Sequence, residues 1–368
     1  MSTPALLRSF AGSLLFATLA CHAAPIARPA ETGARGTLLL IGGGLDDDHG
    51  EVYRRLLELA SAKGTPRIVI MTAATGPQEQ EAIDKTEALR CWSSDVQVEI
   101  VRRETSTEDT VAAIDAATAL FFTGGDQERI TARYRRDGAE TEELLAMQRL
   151  LARDGVIAGA SAGDAMMGAT MFTGGGSASA LGIVDPETQP GPRLAQGLGF
   201  LPLALTDSHF FERDRLGRLV AGLEASGTRL GLGVGEDACL EIDLAHGTAR
   251  GVSVAESLLV DAAGLERDGL SRRGLRARLI GQGEVVSLRE RLASPRPMNS
   301  PRPPGPTHEV PIVEPGQNRQ LASWRLFRHA RTASSGVWRL ALQGWAIEAW
   351  AHPDEPGEFV VEVAVASR

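Results

Sequence analysis

Five short apolar runs, residues 38–41, 67–71, 96–101, 119–122 and 156–158, are separated by segments long enough to hold a helix. A strand buried on both faces reads as such a run, and successive parallel strands need a crossover of a dozen or more residues between them. The intervening segments 51–62 and 79–90 have helical periodicity, with Leu56, Leu57 and Ala60 on one face and Arg54, Arg55 and Lys63 on the other. The expected fold class is therefore α/β, a mostly parallel doubly wound sheet flanked by helices. Glycines follow several of the runs, as Gly42-Gly43-Gly44, Gly124-Gly125 and Gly159 with Gly163. Ligands of open α/β sheets bind at the carboxyl ends of the strands, which puts the functional face there. Gly42-Gly43-Gly44 itself is read as a tight turn, because no Lys-Ser/Thr follows to make a phosphate loop.

The rhythm fades after Val260. Residues 37–292 are expected to form the main domain, 293–320 a proline-rich linker or loop, and 321–368 a small β-rich C-terminal extension that is either an appendage or an edge addition. That extension holds Trp324, Trp338, Trp345 and Trp350. Residues 1–24 read as an export signal, since Arg8 precedes the apolar stretch 10–20 and Ala23, Ala24 and Pro25 follow. The expected location is periplasmic or extracellular. A lipid anchor on Cys21 is the weaker alternative, because Thr18 stands where such signals usually place Leu. No later stretch reaches the roughly 20 apolar residues of a transmembrane segment.

With 38 Lys plus Arg against 47 Asp plus Glu, the formal net charge is −9, and no long basic run is present. Nucleic acid is thus not an expected partner. Cys91 and Cys239, outside the leader, permit one bridge but no disulfide framework, and neither has metal-ligand spacing.

Chemistry concentrates at three places. Gly159-Ala160-Ser161-Ala162-Gly163 follows an apolar run and precedes a helix-like stretch, 164–170, as a nucleophile elbow does. Such a turn lifts the Ser161 hydroxyl above the sheet and aims the Ala162 N–H at the same point, where it can stabilise an oxyanion. The competing reading of Ser161 with Asp164 is a Ser-x-x-Asp helix cap. A serine nucleophile needs a base, and His209 follows the strand-like run 203–205 and precedes the helix-like 213–223. His49, His246, His308, His329 and His352 lie in polar or turn-like surroundings that suggest solvent. The base needs an acceptor to fix its tautomer; Glu236, at the end of the glycine-rich run 230–235, is the candidate, and Asp207 the rival. The order Ser161, His209, Glu236 argues against an ordinary α/β-hydrolase, in which the acid precedes the histidine.

These blocks resemble the cyanophycinases and related dipeptidases of serine peptidase family S51. The likeness is carried by residues 122–127 (FTGGDQ), the elbow, Asp207-Ser208-His209-Phe210 with Arg213, Arg215 and Arg218, and 231–236 (GLGVGE). It covers roughly residues 37–260. The resemblance implies a flavodoxin-like scaffold similar to class I glutamine amidotransferases and a triad of Ser161, His209 and Glu236. It also implies an oxyanion hole from the Gly125 and Ala162 backbone, and substrate contacts from Gln127, Asp207, Arg213, Arg215 and Arg218. Arginine forks suit the free carboxylate of a β-linked aspartyl unit, and Asp126 or Asp207 could face the substrate's arginine. The implied substrate is a β-aspartyl-arginine polymer or a related aspartyl peptide, cleaved without metal or organic cofactor; a homodimer is also suggested. Ser208, Gly235 and Asp164 depart from the family pattern of Gln, Asp and a small residue, which bears on specificity. The same scaffold also allows an α-aspartyl dipeptidase or a binding protein without activity.

Overall fold

A computed structural model of the chain describes residues 35–184, 191–293, 301–312, 322–332 and 335–365. The expected export signal and Cys21 lie outside these residues, as do residues 294–300 and 313–320 of the proline-rich segment.

The first elements in chain order are β1 (Thr37–Ile41), α1 (Gly50–Ala60), β2 (Arg67–Met71), α2 (Gln78–Trp92), β3 (Gln97–Val101), α3 (Thr107–Ala116) and β4 (Ala119–Phe122). Next come α4 (Gln127–Tyr134), a two-residue hairpin of β5 (Arg135–Arg136) and β6 (Ala139–Glu140), and α5 (Glu142–Ala152), before the chain returns as β7 (Val156–Ala160). β1, β7, β4, β2 and β3 are parallel neighbours in that order. Leu38, Leu39, Leu40 and Ile41 in β1 are wholly buried, as are Leu120 and Phe122 in β4 and Ile157 in β7. Each such side chain stabilises the fold by about 1.5–3 kcal/mol relative to exposure, and both sheet faces must be covered for all of them to count. Helices on each side do this: α1 packs against α2, and α3 against α5.

The elbow leads into α6 (Ala162–Ala165), β8 (Thr170–Gly174), α7 (Ser177–Ala180) and β9 (Arg193–Gln196), followed by β10 (Ala204–Asp207), α8 (Leu216–Ser226) and β11 (Leu230–Val234). Two expectations change here. The helix expected over 164–170 is a single turn, since Gly168 packs its backbone against Thr170 and Ala204 and the chain turns straight into β8. The helix expected over 213–223 begins at Leu216, because residues 210–215 form turns closed by Arg213 N–H to His209 O and Arg215 N–H to Phe210 O.

β12 (Cys239–Asp243), β13 (Thr248–Gly251) and β17 (Val285–Ser287) extend the first sheet antiparallel beyond β1, so that sheet is mixed but mostly parallel. Between them β14 (Ser257–Asp261), β15 (Glu266–Asp268) and β16 (Ser271–Ile280) join a second sheet, and α9 (Leu288–Ala293) follows β17. The C-terminal elements are β18 (Thr307–Glu309), α10 (Ala322–Thr332), β19 (Val337–Leu342), β20 (Trp345–Ala351) and β21 (Glu358–Val365). The second sheet runs β10-β11-β14-β16-β21-β20-β19-β18, with only its first and last pairs parallel and β15 paired to β16 off this path. β21 thus pairs directly with β16, and Phe327, Phe359, Leu275 and Leu279 share one apolar cluster. Cys91 is exposed, Cys239 is buried in β12, and among the described residues neither is bridged. Among the described residues no helix is long and apolar enough to cross a membrane.

Candidate active site

β7, β10 and β11 deliver three side chains from their carboxyl ends. Ser161 follows β7 with φ +54° and ψ −101°, a region that a residue with a side chain rarely occupies. The elbow glycines make that turn feasible by close approach. A Cβ on Gly159 would lie 2.2 Å from Gly163 O, and one on Gly163 would lie 2.8 Å from Phe122 Cβ. The Ser161 N–H is tied to Ile41 O at 2.9 Å, which fixes the elbow against β1. The hydroxyl makes no cap hydrogen bond, so the helix-cap reading fails. Instead, Ser161 Oγ lies 2.8 Å from His209 Nε2.

His209 also has a positive φ, +46°, and its N–H donates to Gly42 O at 2.7 Å. Two neighbouring residues in sparsely populated conformations cost on the order of 1–3 kcal/mol each, and such strain clusters at functional sites. His209 Nδ1 is 2.7 Å from Glu236 Oε1, so the ring is held from both nitrogens. Burial depresses the His209 pKa below its ordinary value, and the positive charges of Arg213 and Arg215 push the same way, against the bond to Glu236. The ring is therefore neutral at neutral pH, with Nδ1–H donated to Glu236 and Nε2 free to accept from the serine.

The Gly42-Gly43-Gly44 turn does more than reverse the chain. A Cβ on Gly43, whose φ is +100°, would stand 2.4 Å from His209 Cε1 and 2.5 Å from Nε2. The imidazole thus lies directly on the Gly43 backbone, a role not visible in the sequence because nothing local signals which side chain will cover a turn.

The remaining expected residues divide. Gly125 sits beside the elbow, where the neighbouring Gly124 approaches Ser161 Cβ, and among the described residues the Gly125 N–H makes no hydrogen bond. Ala162 opens α6, where a first-turn N–H has no intrahelical acceptor. Gln127 donates Nε2 to Phe172 O at 2.6 Å, leaving its oxygen as an acceptor.

Asp207 and Arg218 differ from expectation. Asp207 is 1% exposed and forms a two-pronged ion pair with buried Arg218, through Nε at 2.9 Å and through Nη2, while Arg215 Nη1 adds a third contact at 3.2 Å. Arg218 also lies over the Phe172 ring and donates to Gly175 O. Their charges are spent on each other, so Asp207 is neither available to a substrate cation nor the partner of His209. Arg215 is largely buried, and desolvation lowers its pKa to about 10. Arg213 is exposed, acts electrostatically on His209, and makes no side-chain hydrogen bond or ion pair among the described residues. Asp126 caps α4 and stands 3.6 Å from Arg129.

Asp164 is wholly buried, and among the described residues neither of its carboxylate oxygens has a hydrogen-bond partner. Burial raises its pKa well above the ordinary value, and the Asp207 charge raises it further. Its surroundings thus favour the neutral acid in the turn of helix that follows the elbow.

The model of peptidase family S51 matches residues 38–248, more than half of the chain. The chain belongs to peptidase family S51. Proteins named cyanophycinase are similar to this S51 chain. That of Trichormus variabilis is 31% identical over 222 residues, covering 55% of this chain and 66% of its own length. That of Synechococcus elongatus is 28% identical over 274 residues, 70% of this chain and 81% of its own. That of Geminocystis herdmanii is 32% identical over 213 residues, 56% of this chain and 73% of its own. The stretch shared with the first of these is thus a little under two thirds of that relative.

Two further residues of this S51 chain make contacts at the Glu236 turn. His49, expected in solvent, is partly buried and 3.2 Å from Asp237 Oδ1, next to Glu236. Glu212 accepts the Glu236 N–H at 3.0 Å through Oε2. Both contacts cross turns that only the fold brings together. Among the described residues no group of three or more His, Cys, Asp or Glu could hold a metal ion.

Proposed function

We propose that this chain is an exported serine peptidase that hydrolyses β-aspartyl-arginine bonds of cyanophycin through an acyl-enzyme on Ser161. The observation that carries the reading is the continuous chain from Ser161 Oγ to His209 Nε2, 2.8 Å, and from His209 Nδ1 to Glu236 Oε1, 2.7 Å. In the first step His209 Nε2 takes the hydroxyl proton as Oγ attacks the scissile carbonyl carbon. The N–H groups of Gly125 and Ala162 receive the oxyanion. Collapse breaks the C–N bond, the imidazolium gives its proton to the leaving amine, and an ester remains on Ser161. A water then loses its proton to His209 and attacks that ester, releasing the acid and restoring the hydroxyl.

Arg213, exposed beside His209, is the group best placed to take a substrate carboxylate, whereas Arg218 holds Asp207 in the wall of the site. Arg215, half committed to Ser208 O at 2.5 Å, lines the same region. The names of the similar proteins support cyanophycin as the first substrate to try. The leader-like residues 1–24 support export, which N-terminal sequencing of the mature protein checks.

Incubating the purified protein with cyanophycin, and separately with β-aspartyl-arginine and α-aspartyl dipeptides, tests substrate and linkage. The reading expects dipeptide release from the polymer and loss of several orders of magnitude of rate in S161A. Cleavage of α-linked substrates alone, or activity that survives S161A, would overturn it.

A further inference from the structure

We infer that Glu212 is a positioning residue that holds the triad acid Glu236 in line with His209; the inference rests on the triad proposed above. Glu236 sits in the turn that follows β11, and backbone groups satisfy the next two N–H donors of that turn, Asp237 to Gly43 O at 3.1 Å and Ala238 to Gly235 O at 3.2 Å. The N–H of Glu236 itself goes to a side chain, Glu212 Oε2, at 3.0 Å. A second tie, Phe210 N–H to Val234 O at 3.1 Å, runs from the first turn to the last residue of β11. Together they clamp the segment carrying the base, residues 209–212, along the segment carrying the acid, residues 234–236.

The packing around this clamp leaves little slack. A Cβ on Gly235 would lie 3.0 Å from the Phe211 ring and 3.5 Å from Glu212 Oε1, so the Glu212 carboxyl lies against bare backbone. Phe211 is buried, with its ring edge-on to Phe210 at 5.2 Å. Burial raises the Glu212 pKa, the hydrogen bonds its carboxyl accepts from the Glu236 and Glu212 N–H groups work against that rise, and the charges of Glu236 and Asp237 add to it. A carboxyl oxygen makes a strong acceptor for the one backbone N–H that sets where the Glu236 side chain begins.

The test measures the rate at which a fluorophosphonate modifies Ser161, a readout of hydroxyl activation that needs no peptide substrate, together with kcat and KM on cyanophycin. E212L fills the space without an acceptor; E212Q keeps a carboxamide oxygen to accept from Glu236. Loss of one such hydrogen bond predicts a fall of about tenfold in labelling rate and in kcat for E212L, with KM within about twofold. E212Q should stay within about threefold of the native protein. If E212L is not recovered folded, the unbranched E212M is measured in its place. Labelling of Ser161 at an unchanged rate in E212L, or a fall in E212Q as deep as in E212L, overturns the role of Glu212 while leaving the triad standing. A native adduct on any residue other than Ser161 overturns both.

Discussion

At the scale of single residues the balance of burial and charge sets the predictions. His209 is buried and its pKa is depressed, so the neutral base persists to lower pH than a free histidine. The acid limb of kcat/KM should therefore lie below the ordinary histidine range, and its displacement upward in a pH-rate profile would contradict the geometry. Arg213 and Arg218 should behave oppositely although both were expected in the pocket. R213Q should raise KM about tenfold for a peptide with a free carboxylate and leave stability unchanged. R218L strips buried Asp207 of its main partner and should cost about 3–5 kcal/mol in denaturant unfolding. Asp164 gives a signed pH effect. Its folded pKa is raised above the unfolded one, so its contribution to stability is full below the ordinary carboxylate range and is lost as pH climbs toward the folded value. D164N, which cannot ionise, should match the native protein near pH 4 and melt higher than it by pH 8; parallel melting curves across that range would refute a buried neutral acid.

At the scale of elements, what the sequence made legible follows from how local each signal is. β4 was expected over 119–122 and is found there, because a continuous apolar run bounded by Thr118 and Gly124 leaves its ends little choice. The elbow was legible for the same reason: two glycines around a serine after such a run encode close approach, and the structure has both contacts. The start of α8 was not, since Arg213 and Asp214 look helical by composition but are held in turns, with Asp214 at φ +46°. Nor could spacing tell that Asp207 would be consumed by Arg218, eleven residues on, or that Glu212 would reach Glu236. Those contacts arise between separate turns, where neither helical nor strand periodicity applies.

At the scale of the whole molecule, the strands that carry His209 and Glu236 belong to the second sheet, and Ser161 belongs to the first. The site is therefore made where the carboxyl ends of two sheets meet, and its geometry depends on both being intact. The family match ends at residue 248, yet β14, β16 and β21 lie beyond it and complete the sheet that starts with β10 and β11. A chain ended after Ala293 would uncover Leu275, Ala277 and Leu279 of β16, all wholly buried. We expect it to lose cooperative unfolding in calorimetry and to lose activity with it, rather than to behave as a trimmed but competent domain.

In the proposed mechanism the His209 imidazole draws the proton from the Ser161 hydroxyl. The most direct measurement of this step is the site and rate of fluorophosphonate modification, by mass spectrometry of the native protein beside H209A. An adduct on Ser161 in the native protein, and a rate lower by several orders of magnitude in H209A, are expected. An adduct on another residue, or equal rates in the two proteins, would contradict it.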